Sequence, residues 1–349
     1  MSYGIKIFTK DSRGYHLDNN TTSMFMTAAR YGDISEKTKI YIPKGYNYYA
    51  YLSDGCGFYD EIDNDSNMIV GSIESIAYLD ENQHLCFKNG KHASYAGWGY
   101  DGRPVITKQQ LIVLTWPENN TASGYGISMK GVNNFFSING DSLFSNVIWK
   151  GDIEITNRGW SVAEINSNLS YQNSFVFFYC DDETISIGRS NRITERGDII
   201  LLPYDLDGFI SNRSVKAKIV VFGNDKIKTS KYGMRIYNNK KIVYDSCNEI
   251  LINPKFMEFS PHNVGQMVEV PGIKRPMFPK VTVGSKYFND KSGGGYFCDI
   301  ALRSNGRKVS TITQNTFKSA FLESDIPISS FVSEQQVMII DAENYFNFD

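Results

Sequence analysis

The sequence predicts an all-β protein made of three tandem β-sandwich (Ig-like) domains related by internal duplication. Three observations predict it. A strand-like hexapeptide recurs as YGIKIF from Tyr3, YGISMK from Tyr125 and YGMRIY from Tyr232. Each copy is followed by the same succession of turns and apolar runs, and self-similarity at a fixed period outranks any local motif. No run of ten or more residues keeps a helical 3.6-residue period. The copies lie 122 and 107 residues apart, which divides the 349 residues into modules at 1–120, 121–228 and 229–349.

Each module opens on a hairpin. Tyr3, Ile5 and Ile7 alternate with other residues, as do Tyr125, Ile127 and Met129, and Tyr232, Met234 and Ile236. Period two is the mark of a half-buried strand. Turn formers follow (Asp11 to Gly14, Asn133-Asn134, Asn238-Asn239), and a second alternating run ends on Asp18, Asn139 or Asp245. A short strand comes next at Ile40-Tyr41-Ile42, matched to Ile153-Glu154-Ile155 and Val268-Glu269-Val270; proline after two of these runs suits a strand end. A further hairpin is expected at Ile76–Asp80 with His84–Phe87, at Phe177–Asp181 with Thr184–Ile187, and at Ile300–Arg303 with Lys308–Ile312. Leu111–Leu114, Ile219–Phe222 and Val337–Ile340 close the modules; such short apolar runs fit strands buried on both faces. Met24 to Arg30 is expected to form one or two helical turns. The polar stretches Pro117–Gly124 and Gly223–Lys231 serve as linkers.

Composition narrows the function. There are 36 basic and 38 acidic residues, for a net charge of −2 and no block of either sign. Nucleic-acid binding needs a basic stripe, so it is not expected. Five cysteines are odd in number and unmatched between modules, so free thiols from a reducing cytoplasm are expected rather than a disulfide framework. The chain runs from Met1 straight into a strand, so no signal peptide is expected. No apolar stretch approaches the roughly 20 residues of a membrane span.

Chemistry is sparse. The four histidines (His16, His84, His92, His262) have no metal-ligand spacing and no neighbouring nucleophile motif. We therefore expect no catalytic residues, no cofactor and no metal. Asp54, Asp60, Glu61, Asp63 and Asp65 lack the order of a calcium loop and read as a solvated acidic stretch. The triglycine from Gly293 is followed by no helix or GKS/T, so it is a turn rather than a phosphate loop.

The first module departs from the others between Ile42 and Tyr78, where Tyr46, Tyr48, Tyr49, Tyr51, Phe58 and Tyr59 crowd an insertion among Gly and Asp. Tyr95, Trp98 and Tyr100 lie in a second Gly-rich stretch. Aromatic loops on a rigid scaffold suit binding, so Tyr46, Tyr49, Tyr51, Phe58, Tyr59, Tyr95, Trp98 and Tyr100 are the candidate residues for a protein interface or a sugar platform. The alternative is that they fold on their own core. Tyr345, Phe346 and Phe348 form a second candidate anchor, either for docking or folded back on module three. Pro271, Pro276 and Pro279 around Lys274-Arg275 predict an extended arm or a guard on a sheet edge.

The opening Ser2-Tyr3-Gly4-Ile5-Lys6-Ile7-Phe8, then a turn and an apolar pair ending at Asp18, resembles the start of many tailed-bacteriophage tail and virion proteins. Tyr232 to Asp245 is similar too, with Asn238 in place; Tyr125 to Asn139 departs at Met129-Lys130 and at Asn139. The resemblance covers some 14 to 17 residues per module. It implies a non-enzymatic virion component, most often of the tail, made in the host cytoplasm. Its partners would be other tail proteins and further copies of itself. A glycan-binding receptor protein using the module-one aromatics is the alternative, and a capsid decoration or collar protein a third. A glycan depolymerase comes last, because no converging carboxylate pair can be nominated.

Overall fold

The computed structural model describes residues 4–8, 14–18, 24–62, 68–94, 108–118, 126–130, 135–139, 144–193, 199–223, 228–229, 231, 234–238, 241–260, 264–289, 295–318 and 329–348. The described chain is all-β, with only single turns of 3-10 helix besides. None of its helices is long and apolar enough to cross a membrane.

The first third contains β1 (Gly4–Phe8), β2 (Gly14–Asp18), β3 (Phe25–Asp33), β4 (Lys37–Tyr41), β5 (Tyr46–Leu52), β6 (Cys56–Ile62), β7 (Met68–Leu79), β8 (His84–Ser94) and β9 (Lys108–Pro117). After the β1–β2 hairpin, they form two sheets of order β3-β9-β5 and β4-β8-β7-β6. The second third contains β10 (Gly126–Lys130), β11 (Phe135–Asn139), β12 (Asn146–Ile155), β13 (Phe175–Tyr179), β14 (Ser186–Ile193), β15 (Ile199–Tyr204) and β16 (Val215–Gly223). Its sheets are β12-β16-β13 and β14-β15. The last third contains β17 (Arg235–Asn238), β18 (Lys241–Asp245), β19 (Lys255–Met257), β20 (Val268–Glu269), β21 (Pro276–Met277), β22 (Gly284–Asn289), β23 (Gly295–Ser304), β24 (Lys308–Lys318), β25 (Ser329–Val332) and β26 (Val337–Asp341). Its sheets are β19-β26-β21 and β20-β24-β23-β22-β25.

A common succession of hairpin, inner sheet and outer sheet runs through the three thirds, with four, two and five strands in the outer sheet. A hairpin opens each, and it pairs a residue of the repeated hexapeptide with the acid or amide read from the sequence: the second residue in the first two copies (Gly4 with Asp18, Gly126 with Asn139) and the fourth in the last (Arg235 with Asp245). An inner antiparallel sheet follows, with the last strand of the third (β9, β16 or β26) in its middle. An outer sheet covers it.

The apolar runs that close the thirds are buried on both faces because their two faces serve different cores. Leu111 and Val113 point to a core with Ile40, Ile42, Leu85 and Phe87 of the first third. Ile112 and Leu114, one residue out of step, join a second core with Phe177, Val220 and Phe222 of the middle third and Met277, Met338 and Ile340 of the last. Period-two alternation along a strand makes this split automatic. Likewise Ile219, Val221, Val337 and Ile339 enter a core common to the middle and last thirds. The three units thus do not hang from linkers with separate interiors. Each buried Phe, Leu or Ile contributes about 1.5–3 kcal/mol, so the shared core is a large part of what holds the thirds together.

Several local expectations are corrected. Met24–Arg30 is not helical: Phe25–Asp33 is β3, hydrogen-bonded along β9 with a bulge between Met26 and Ala28. The apolar ladder offered by β9 outweighs the helix preference of Ala28 and Ala29. Ile153–Ile155 ends β12 and pairs with β16, so it is not the counterpart of β4; that place in the middle third holds only the Trp160–Leu201 bridge. Phe177–Asp181 and Thr184–Ile187 make no hairpin. Phe175–Tyr179 lies in the inner sheet against β16, and the hairpin partner of Ser186–Ile193 is Ile199–Tyr204. Of the two expectations for the Pro-rich segment, the sheet-edge one fits: Pro276-Met277 is an edge strand on β26, where a residue without an N–H is tolerated.

Candidate functional site

The aromatic insertion of the first third is strand rather than loop, because Tyr46–Leu52 runs along the apolar β9. Its alternation sends Tyr46 and Tyr48 to the outer core and Tyr49 and Tyr51 to the shared one. Tyr51 is 3% exposed, and its hydroxyl donates to the Lys280 carbonyl of the last third. The Tyr49 hydroxyl donates to the Gln336 carbonyl at 3.1 Å and accepts from the Met338 amide at 3.2 Å. Both therefore bind within the chain, which corrects the expectation that they offer a surface to a partner. Phe58 and Tyr59 lie on β6; Tyr95, Trp98 and Tyr100 fall outside the described residues.

The tail folds back as well. Tyr345 is buried and meets Phe222 edge-on, with ring centroids 5.6 Å apart. Phe348 packs against Tyr179 of the middle third at 5.1 Å, and the Arg275 guanidinium lies 4.1 Å from its ring centre. The tail thus seals the seam between the middle and last thirds rather than the last third alone.

The three thirds converge on Asp54, which sits in the turn between β5 and β6. It pairs with Lys280 of the last third and with Arg189 of the middle third at 2.7 Å. The Ser53 hydroxyl donates at 2.8 Å to the same carboxylate oxygen, Oδ2, that Arg189 contacts, and the Lys280 ammonium also reaches the Ser53 carbonyl at 2.8 Å. Burial alone would raise the Asp54 carboxyl, but Lys280 and then Arg189 outweigh it and hold the group at about 2. Asp299 in β23 faces the same charges. Burial pushes it up to about 6; Lys280 opposes that shift and Asp54 adds to it. Asp54 is thus an ion-pair partner rather than one member of a solvated acidic stretch. Among the described residues no group of three His, Cys, Asp or Glu is placed to hold a metal ion.

The described surface has one apolar projection. Leu206, Phe209 and Ile210 are each about half exposed (50%, 48% and 49%) on the turn after β15. The turn is rigid for a physical reason. Asp205 accepts from the amides of Asp207 and Phe209 at 3.1 and 3.0 Å, and Gly208 adopts φ +82°. Strand β24 of the last third fastens it, through the Thr313 hydroxyl to Leu206 at 3.1 Å and the Thr316 hydroxyl to Asp207 at 2.8 Å. A cleft of about 610 Å³ opens beside it, lined among others by Lys286, Phe288, Tyr296 and Arg303. Sequence reading missed this turn, although Asp205-Leu206-Asp207-Gly208 followed directly by Phe209 and Ile210 was a usable signal. Arg189, Lys280 and Asp299 gave none, being single charges in unrelated runs.

Neither a curated protein nor a solved structure matches the chain. The profile of a family of unknown function, DUF6453, matches residues 80–319, more than half of the sequence, and the chain belongs to that family.

Proposed function

We propose that the protein is a non-enzymatic structural component of a tailed-phage virion, a tail or tail-tip protein that acts through protein–protein assembly. The observation that carries this reading is the Leu206–Ile210 turn. It holds three large apolar side chains half in water on a backbone pinned to the neighbouring third. Exposed apolar clusters on an ordered backbone suit a protein interface. The shared core adds a rigid block on which to mount it. The tailed-phage resemblance of the opening hairpins supports the virion setting. We propose also that the three thirds descend from one duplicated module, which their common succession of hairpin, inner sheet and outer sheet supports.

The experiment is particle complementation. Purified chain should attach to particles that lack it, and Phe209→Asp should abolish attachment while leaving the melting midpoint within about 2 °C of wild type. Attachment undiminished by Phe209→Asp, or no attachment of the wild-type chain, rejects this reading.

A further inference from the structure

A second cleft, of about 440 Å³, lies where the start of β12 meets the loop after the Val162–Glu164 turn and the Lys228 segment. Its wall is the half-buried indole of Trp149. The β-bulge between Val147 and Trp149 shifts the register there, and bulges commonly re-aim a side chain next to a binding site. The indole lies across Gly151: a Cβ added at that glycine would meet the ring 2.8 Å away. Facing it are Ile165 and Leu169, the exposed carboxamides of Asn166 and Asn168, and Lys228. Asn146 lines the cleft at 3% exposure. Its Nδ2 donates to the Phe144 carbonyl at 3.1 Å, while its Oδ1 has no hydrogen-bond partner. Among the described lining residues there is no Asp or Glu.

We propose that this cleft binds a saccharide, with an N-acetylated hexosamine as the preferred ring. The chemistry follows from the lining. An indole face takes the apolar C–H face of a pyranose, as aromatic side chains take other flat apolar surfaces. A carboxamide offers donor and acceptor together, which matches a sugar hydroxyl that is also both. A buried acceptor without a partner is costly, and a ligand N–H relieves it; the acetamido group supplies that N–H. Its methyl finds Ile165 and Leu169. The volume lies within the ordinary range of ligand pockets, roughly 300–1,000 Å³. The site is separate from the aromatic residues of the first third and independent of the assembly turn.

The test uses the purified full chain with three probes: N-acetylglucosamine, its β-linked trimer, and glucose. Binding is read by tryptophan fluorescence and by calorimetry. Saturable binding of either N-acetylated probe is expected, with glucose at least tenfold weaker. Trp149→Ala and Gly151→Ala should each weaken binding tenfold or more, the second by displacing the indole. Lys228→Ala, at an exposed side chain, should weaken it a few-fold at an unchanged melting midpoint. If Trp149→Ala does not fold, Asn166→Ala decides: reduced binding supports the site and undiminished binding overturns it. No saturable binding of an N-acetylated probe to the wild type overturns the proposal, as does equal binding by wild type and Gly151→Ala.

Discussion

The two ends of the contact among the three thirds are built from different materials. At one end the segments entering the inner sheets meet through backbone and rings. The Ser145 amide donates to the Met24 carbonyl at 3.3 Å, and the Leu251 amide to the Ser145 carbonyl at 2.9 Å. Phe25 and Phe144 touch edge-on at 5.0 Å, and Tyr244 closes on Phe144 at 5.3 Å. At the other end Asp54, Arg189 and Lys280 meet as charges. The apolar end gains from burial and does not titrate. The ionic end gives up hydration for attraction, so its net worth is small while intact and strongly negative when one member is missing. The first end supplies cohesion; the second fixes which surfaces meet and makes the contact pH-dependent.

The largest effect should come from Phe222→Ala in the core between the ends. Phe222 is fully buried and touches Phe177 and Tyr345, each with ring centroids 5.6 Å away. We expect a loss of about 3–5 kcal/mol with unfolding still a single transition by denaturant titration. Separate transitions for the thirds would break the picture of one shared core. Asp54→Ala should cost about 3–5 kcal/mol as well, since it strands Lys280 and Arg189 against each other; Asp54→Leu combined with Lys280→Met should recover part of that loss. No recovery in the double variant would show that the charges do more than pair.

Titration sharpens the contrast. Ionised Asp299 is a penalty on the folded state that is full above about 6 and fades as pH falls toward its ordinary 3.8. Asp54 stabilises above its ordinary 3.8, and that contribution is lost as pH falls toward about 2. Thermal stability should therefore rise as pH drops from 7 to 5, by about 1.4 kcal/mol of the roughly 3 kcal/mol that the full shift of some two units represents, and fall again in stronger acid. Asp299→Asn should flatten the first limb alone; an unchanged limb would mean another group titrates there. The smallest effect belongs to the apolar end. Tyr345→Phe removes a hydroxyl that donates to the Ile250 carbonyl at 3.2 Å and accepts from the Ile252 amide at 3.4 Å. It should cost about 1 kcal/mol with no change in the pH profile.

The hairpins were legible in the sequence because every residue of a hairpin lies within a turn of its partner. Tyr3 to Asp18 and Tyr232 to Asp245 carry alternation and turn chemistry together, and the register follows. The closing runs were legible as doubly buried strands for the same local reason. Strand pairing failed at Phe175–Tyr179 and Ile153–Ile155, where an apolar run fits several positions in a sheet and only its partner decides. The aromatic insertion misled because tyrosine serves equally a surface and a seam. For Tyr49 and Tyr51 the deciding partners, Gln336 and Lys280, lie more than two hundred residues away.

By itself, then, the chain determined the class, the threefold recurrence of its opening hairpin and the doubly buried closing strands, since all of these are written in periods of two and in turns of a few residues. Only the tertiary structure decided that the thirds share a core, that Asp54 meets Arg189 and Lys280, and that Trp149 stands beside an unsatisfied Asn146. Those contacts join residues far apart in sequence, and no local pattern records which distant side chain will supply the missing charge, face or proton.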